Sequence, residues 1–316
     1  MKQIQDLYKR IIAENVVKLE DDSFGIKMRE TRSGNTASSF GHVLAFDLRE
    51  GFPAVTTKKL AWKAVVGELL WFLSGSTNLN KLREYTELDD DAWTIWSDDC
   101  KRWHKNNEDA PEDENDLGEI YSYQWRDFGG SEHVRNNDGV IELFGEQGID
   151  QIQNLITSLI EQPESRYHLV SAWNPVTNSL QKAALPPCHY AFQCYVTDED
   201  DNGIRYLDLM WHQRSVDSFL GLPFNIASYG LLLTILARLT GCRPRFLKCT
   251  LGDIHIYEQH LEQCQEMIDR EPLPLPTLKF RKIESLEDVL TMKASDFKLD
   301  NYVNHGVLKG KLSVGE

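Results

Sequence analysis

The chain lacks the features that would place it in several large classes. Its six cysteines, at positions 100, 188, 194, 242, 249 and 264, form no C-x-x-C pair and no Cys/His cluster with zinc spacing. A zinc site or other metal centre is therefore not expected. No signal-peptide pattern is present and no apolar run of membrane length stands out, so the expectation is a protein with reduced thiols, no membrane partner and a cytoplasmic location, that of the host if the source is viral. Basic residues are in the minority: 34 Lys and Arg against 49 Asp and Glu give a net charge of -15. A phosphate backbone is bound by clustered cations, so a general nucleic-acid surface is not expected, and a small anionic substrate would have to be met by local arginines. No Pro-rich or Gly/Ser-rich linker and no internal repeat interrupts the 316 residues, of which 41% are hydrophobic. One domain spanning 1–316 is expected.

What is present reads as an α+β chain. Ile4, Leu7, Tyr8, Ile11 and Ile12 recur at helical spacing at the start, followed by a loop and strands over roughly the next forty residues. Further helices are expected over Leu60 to Leu73, Ile149 to Ile160 and Pro223 to Gly241, the last apolar and ending on a glycine suited to cap it, with a final helix from near His255. Alternating segments near 169 to 173, 189 to 196 and 206 to 212 predict strands, giving a sheet covered by the central helices. Polar stretches at about 105 to 117, 131 to 147 and 198 to 203 read as solvated surface insertions.

Two segments carry chemistry. Cys188 follows Pro186 and Pro187 and opens an alternating strand, where a thiol is held on a rigid element; on its own such a cysteine is more often a small buried core residue. Trp211 to Asn225 then packs Arg214, Ser215, Asp217 and Asn225 just before the apolar helix, a loop suited to a small ligand with a phosphate and a hydrogen-bonding ring. Glu68 lies among Val65, Val66, Leu69, Leu70 and Phe72, and burial there would raise its pKa toward neutrality.

Together these segments resemble the thymidylate synthase family. Phe52 to Lys59, Glu68 to Gly75, Gln124-Trp125-Arg126 and Asp253 to Tyr257 look like family blocks in family order, and the similarity covers nearly the whole chain. The resemblance is to phage-like members, related to the dUMP and dCMP hydroxymethylases. It implies a thymidylate synthase-like fold, a mixed sheet covered by helices, in an obligate homodimer with shared active sites. The implied reaction is methylation of dUMP with 5,10-methylenetetrahydrofolate as carbon and hydride donor. Uracil C5 is a poor nucleophile until something adds at C6, so Cys188 would be the attacking thiolate, with Arg214 lowering its pKa.

The same resemblance assigns the remaining roles. Glu68, supported by Tyr121 and His189, would move protons. Asn225 would read the O4 and N3-H edge of uracil, where cytosine-specific relatives place Asp; a helix N-cap is the alternative for this residue. His255 and Tyr257 would hold the sugar 3'-hydroxyl. Arg32, Arg214 and Ser215 would hold the phosphate, with Arg166 reaching in from the partner subunit. Ile95, Trp96, Leu185, Asp217, Leu220, Gly221 and Phe224 would surround the reduced folate, and Lys58 would lie near its glutamate tail.

Departures from the family pattern concentrate in the closing elements. The segment Arg32 to Gly41 is one residue shorter than usual, and Ser165-Arg166-Tyr167 stands where paired arginines are usual. Ser97-Asp98-Asp99-Cys100 follows Trp96 where a second Trp is usual, Glu119 and Ser122 replace Pro and Gly, and the tail ends Lys311-Leu312-Ser313-Val314-Gly315-Glu316. A leakier site would let water replace hydride and yield 5-hydroxymethyl-dUMP, the alternative product. An inactive nucleotide- or RNA-binding homologue is disfavoured by the complete set of Cys188, Glu68, Arg214 and Asn225.

Overall fold

The structure, a computed structural model, describes residues 1–20, 23–137, 140–146 and 148–312, with the main chain alone described between 131 and 146. Six strands form the central sheet: β1 (Arg29–Thr31), β2 (Gly34–Asp47), β3 (Leu169–Ser171), β4 (His189–Val196), β5 (Tyr206–Asp217) and β6 (Arg243–Tyr257). Their spatial order is β1-β2-β6-β5-β4-β3. The sheet is mixed: β5 and β6 run parallel, and the other neighbours are antiparallel. This is the expected α+β architecture.

The parallel pair needs a crossover, which helix α6 (Gly221–Leu239) supplies. Its residues are apolar around almost the whole circumference because α6 is enclosed, packing on β5 and β6 beneath and helix α2 (Trp62–Ser74) above. The expectation of no apolar run of membrane length is corrected here: α6 is long and apolar enough to cross a membrane, but 78% of its most apolar 18-residue stretch is buried inside the protein. It starts two residues earlier than expected, because Pro223 sits in the first turn, where its missing N–H breaks no helical bond. It ends at Leu239, and Gly241 follows at φ 70°.

The expectation of a helix from His255 is also corrected. β6 continues through Tyr257, with Leu247, Cys249, Leu251, Ile254 and Ile256 buried and residues 246 to 257 registered against β2. A short 3-10 turn, Glu258–His260, then leads into α7 (Leu261–Asp269). β5 likewise runs on to Asp217 instead of ending near 212, so Arg214, Ser215 and Asp217 are strand residues and not loop residues. Gly252 makes this crossing possible: a Cβ there would lie 2.6 Å from the Arg214 carbonyl oxygen.

Two of the expected loops are ordered differently. Arg32 and Ser33 form the two-residue turn joining β1 to β2, and the strand starts at Gly34. The 131 to 147 insertion forms a hairpin of Ser131–Asn137 and Val140–Glu146. The expectations about Val314, Gly315 and Glu316 lie outside the described residues.

Candidate active site

One cavity of about 440 Å³ opens at the carboxyl ends of β5 and β6 and the first turns of α6, where strand ends and a helix start leave polar groups free for a ligand. All the expected site residues line it except Lys58 and Arg166.

Cys188 lies just before β4, clamped through its backbone. Its N–H donates to the Tyr121 hydroxyl at 2.6 Å, and its carbonyl accepts from the Arg214 N–H at 2.9 Å. The Arg214 guanidinium donates to the carbonyls of Pro187 (2.9 Å) and Pro186 (3.1 Å), which places Nη2 3.8 Å from Cys188 Sγ. The expected lowering of the thiol pKa is only part of the balance. Burial pushes the thiol up and outweighs Arg214, which pulls it down, while Asp99 adds a smaller upward push.

Glu68 stands on α2, 8% exposed. Burial raises its carboxyl to about 7, opposed by the Trp96 indole N–H, which donates to Oε1 at 2.7 Å. Tyr121, the first residue of a short helix (Tyr121–Arg126), stacks on His189 at 4.1 Å. His189 Nδ1 lies 2.9 Å from the Tyr229 hydroxyl, and burial drops this imidazole to about 3, so it is neutral.

Asn225 lies inside α6, which rules out the N-cap alternative. Its Oδ1 accepts from Gln213 Nε2 at 3.1 Å, and Gln213 in turn accepts from Trp211 Nε1. Asp217 Oδ1 accepts from the Phe219 and Leu220 N–H groups at 2.9 and 3.2 Å. His255 Nδ1 lies 3.2 Å from Asp253 Oδ1.

The two absentees differ. Lys58 lines an adjoining cavity of about 410 Å³ that shares Glu68, Ile95, Leu220 and Phe224. Its buried ammonium donates to the Phe219 carbonyl at 2.5 Å, lies 3.9 Å from that ring, and has its pKa lowered to about 8 by burial. Its ammonium is thus engaged by main chain; the expectation for it was a place near the folate's glutamate tail. Arg166 lines a separate cavity with Gln193, Tyr195, Met210 and Arg245 and is not brought to the thiol within one chain. Four polar lining residues were missed: Ser33, Asp99, Arg102 and Gln213. Gln213 was legible as the neighbour of Arg214. Asp99, bonded by Arg102 one turn on, reads in sequence as an ordinary i,i+3 surface pair, although its position after Trp96 marked it. Among the described residues no group of three His, Cys, Asp or Glu is placed to hold a metal.

A thiol beside a guanidinium shares one cavity with a carboxyl raised to about 7 and a carboxamide that accepts from Gln213, an arrangement that suits group transfer to a small polar substrate. The thymidylate synthase family profile matches residues 2–314. A probable thymidylate synthase of Escherichia phage T5 is 50% identical over 293 residues, covering 90% of this chain and 94% of that one. The thymidylate synthase of Enterobacteria phage T4 is 44% identical, covering 99% and 100%. The crystal structure of the T4 phage enzyme superposes with a TM-score of 0.80 at 40% identity, over 99% of this chain and all of that one. The chain belongs to the thymidylate synthase family, and its activity is that of a thymidylate synthase, a methyltransferase. The hydroxymethylase alternative gains no support over it from these relatives.

Proposed function

We propose that the chain converts dUMP to dTMP with 5,10-methylenetetrahydrofolate, releasing dihydrofolate. The observation that carries this reading is the convergence of Cys188 Sγ, 3.8 Å from Arg214, with Glu68 and Asn225 in one cavity. Arg32, Arg214 and Ser215 hold the nucleotide phosphate, His255 and Tyr257 the sugar, and Asn225 the uracil edge. Gln213, by donating to Asn225 Oδ1, fixes which end of that carboxamide faces the base. A phosphate dianion near Arg214 orients the guanidinium, and the Cys188 thiolate adds to C6 of uracil, which makes C5 nucleophilic.

The folate supplies the one-carbon unit and then the hydride. Glu68, with a carboxyl near 7, passes protons to and from the O4 side of the base and accepts the proton lost from C5 through intervening water. Departure of Cys188 from C6 restores the ring double bond once the methyl group is complete. Ile95, Trp96, Leu185, Leu220, Gly221 and Phe224 cover the folate rings and exclude water. Asp217, anchored by two main-chain N–H groups, meets the pterin nitrogens. Lys58 serves the folate indirectly, by fixing the Phe219 carbonyl beside the adjoining cavity.

The chain acts as a homodimer in this reading, with Arg166 completing the partner's phosphate site. Support comes from the apolar side chains left open on the sheet strands, including Phe40 at 84% and Val43 at 67% exposure, with Arg166 on the same molecule remote from its own thiol. Turnover of dUMP with methylenetetrahydrofolate tests the reaction: dihydrofolate absorbance rises in step with dTMP. A product one oxygen heavier than dTMP, formed without dihydrofolate, would overturn it.

A further inference from the structure

The C-terminal segment reaches the cavity through one buried imidazole. Leu312 lines both the thiol cavity and its neighbour, and residues 309 to 312 are held by main-chain acceptors. His260 Nε2 lies 2.9 Å from the Lys311 carbonyl, Gln259 Nε2 donates to the same oxygen at 3.0 Å, and Gln263 Nε2 donates to the Lys309 carbonyl at 3.4 Å. His260 is fully buried against the Phe219 ring, 4.8 Å between centroids. Gly310 passes so close that a Cβ there would sit 2.5 Å from Phe219 Cε1 and 2.9 Å from His260 Nε2.

The other edge of the ring faces the site. A carbonyl can only accept, so Nε2 carries the proton that bonds Lys311. Nδ1 then points toward Asp217 Oδ1, 4.0 Å away, and has no hydrogen-bond partner. A buried polar atom without a partner is costly unless something fixes it there. Here the tail carbonyl on one side and the Phe219 packing on the other fix it.

We propose that His260 is a positioning residue that docks the C-terminal segment: its Nε2–H holds the Lys311 carbonyl and so sets the place of Leu312 beside both cavities. The effect expected on folate binding rests on the function proposed above, through Leu312 at the two cavities; the docking role does not. The two lysines flanking the latch give a readout independent of turnover, because their side chains are exposed while their main chain is held.

The test uses the full-length enzyme and the variants His260→Leu, His260→Gln and Gly310→Ala. Trypsin cleavage after Lys309 and Lys311 is followed by mass, alongside KM for methylenetetrahydrofolate and Kd for dUMP. Loss of one hydrogen bond in His260→Leu is expected to speed tail cleavage about fivefold and raise the folate KM about fivefold, with dUMP affinity held within about twofold. His260→Gln, whose amide can donate to Lys311, is expected to return both values most of the way. Gly310→Ala is expected to release the tail with His260 intact, which keeps the test decisive if His260→Leu does not fold. Tail cleavage unchanged in Gly310→Ala and in any folded His260→Leu protein would overturn the proposal, as would His260→Gln behaving like His260→Leu, since the ring would then merely fill space. Failure of the unmutated enzyme to form dihydrofolate would instead sink the synthase reading, and the proteolysis arm would still report on the latch.

Discussion

Replacing Glu68 by Gln should abolish turnover and at the same time stabilise the protein, but only above about pH 4.5. Burial raises this carboxyl from 4.5 to about 7 in the folded chain, and each pH unit between folded and unfolded pKa is worth about 1.36 kcal/mol. The two multiply to about 3 kcal/mol, an order-of-magnitude figure for a side chain only 8% exposed. Because the folded pKa is the higher one, the folded state holds the proton more tightly. Its favourable contribution is complete below about pH 4.5 and is lost as pH rises toward 7. Gln is neutral throughout and can still accept from Trp96 Nε1. The variant should therefore match the unmutated protein near pH 4.5, gain about 1.4 kcal/mol per pH unit above it, and level off near 3 kcal/mol beyond pH 7. Denaturant unfolding at pH 5, 6, 7 and 8, at one protein concentration, measures this directly. A difference that is flat with pH, or that favours Glu at pH 8, would refute the claim that the enzyme keeps a desolvated carboxyl at the cost of stability.

Removing the Trp96 indole N–H in Trp96→Phe should shift the Glu68-controlled limb of the kcat–pH profile upward by about one unit, because that bond favours the ionised carboxylate; an unmoved or lowered limb would separate Trp96 from the titration. Cys188→Ser should reduce kcat on the order of a thousandfold or more while dUMP still binds, and near-normal turnover would remove the nucleophile. Asn225→Asp should move preference from dUMP toward dCMP, measured as the ratio of kcat/KM values, since a carboxylate accepts from an amine and repels the uracil carbonyl. Gln213→Leu should weaken dUMP discrimination by about fivefold through loss of the bond that orients Asn225; unchanged selectivity would assign that orientation elsewhere.

What could be read from sequence followed from patterns that burial imposes. The strand at 189 to 196 was legible to the residue because Phe192, Cys194 and Val196 alternate inward with the more open Gln193 and Tyr195 between them. Glu68 was legible because one carboxylate among aliphatic residues has no cheap solution except function. The continuation of β5 through Asp217 was hidden because a strand that ends in a ligand site carries polar residues on both faces, which imitates a loop. His255 imitated a helix start for a similar reason: the polar Asp253 and Tyr257 interrupt a strand pattern that only its neighbours β2 and β5 reveal. The Asp99–Arg102 pair was legible only through the position of Asp99 after Trp96, since an ion pair facing a cavity has the same i,i+3 spacing as one facing bulk water.

The crossing at Gly252 has a consequence for how this enzyme can vary. The glycine does not line the thiol cavity, yet its missing side chain lets the Arg214 main chain approach, and the Arg214 N–H in turn holds the Cys188 carbonyl. The nucleophile is thus located by a spacer two strands away. In a mutational scan scored by growth, this position should look like a catalytic residue, while a screen for soluble, folded protein should pass many of the same variants. Libraries meant to alter substrate preference gain more freedom by leaving Gly252 untouched and varying the cavity wall at Asp99 and Arg102, which line it from the helix Ser97–Asn106.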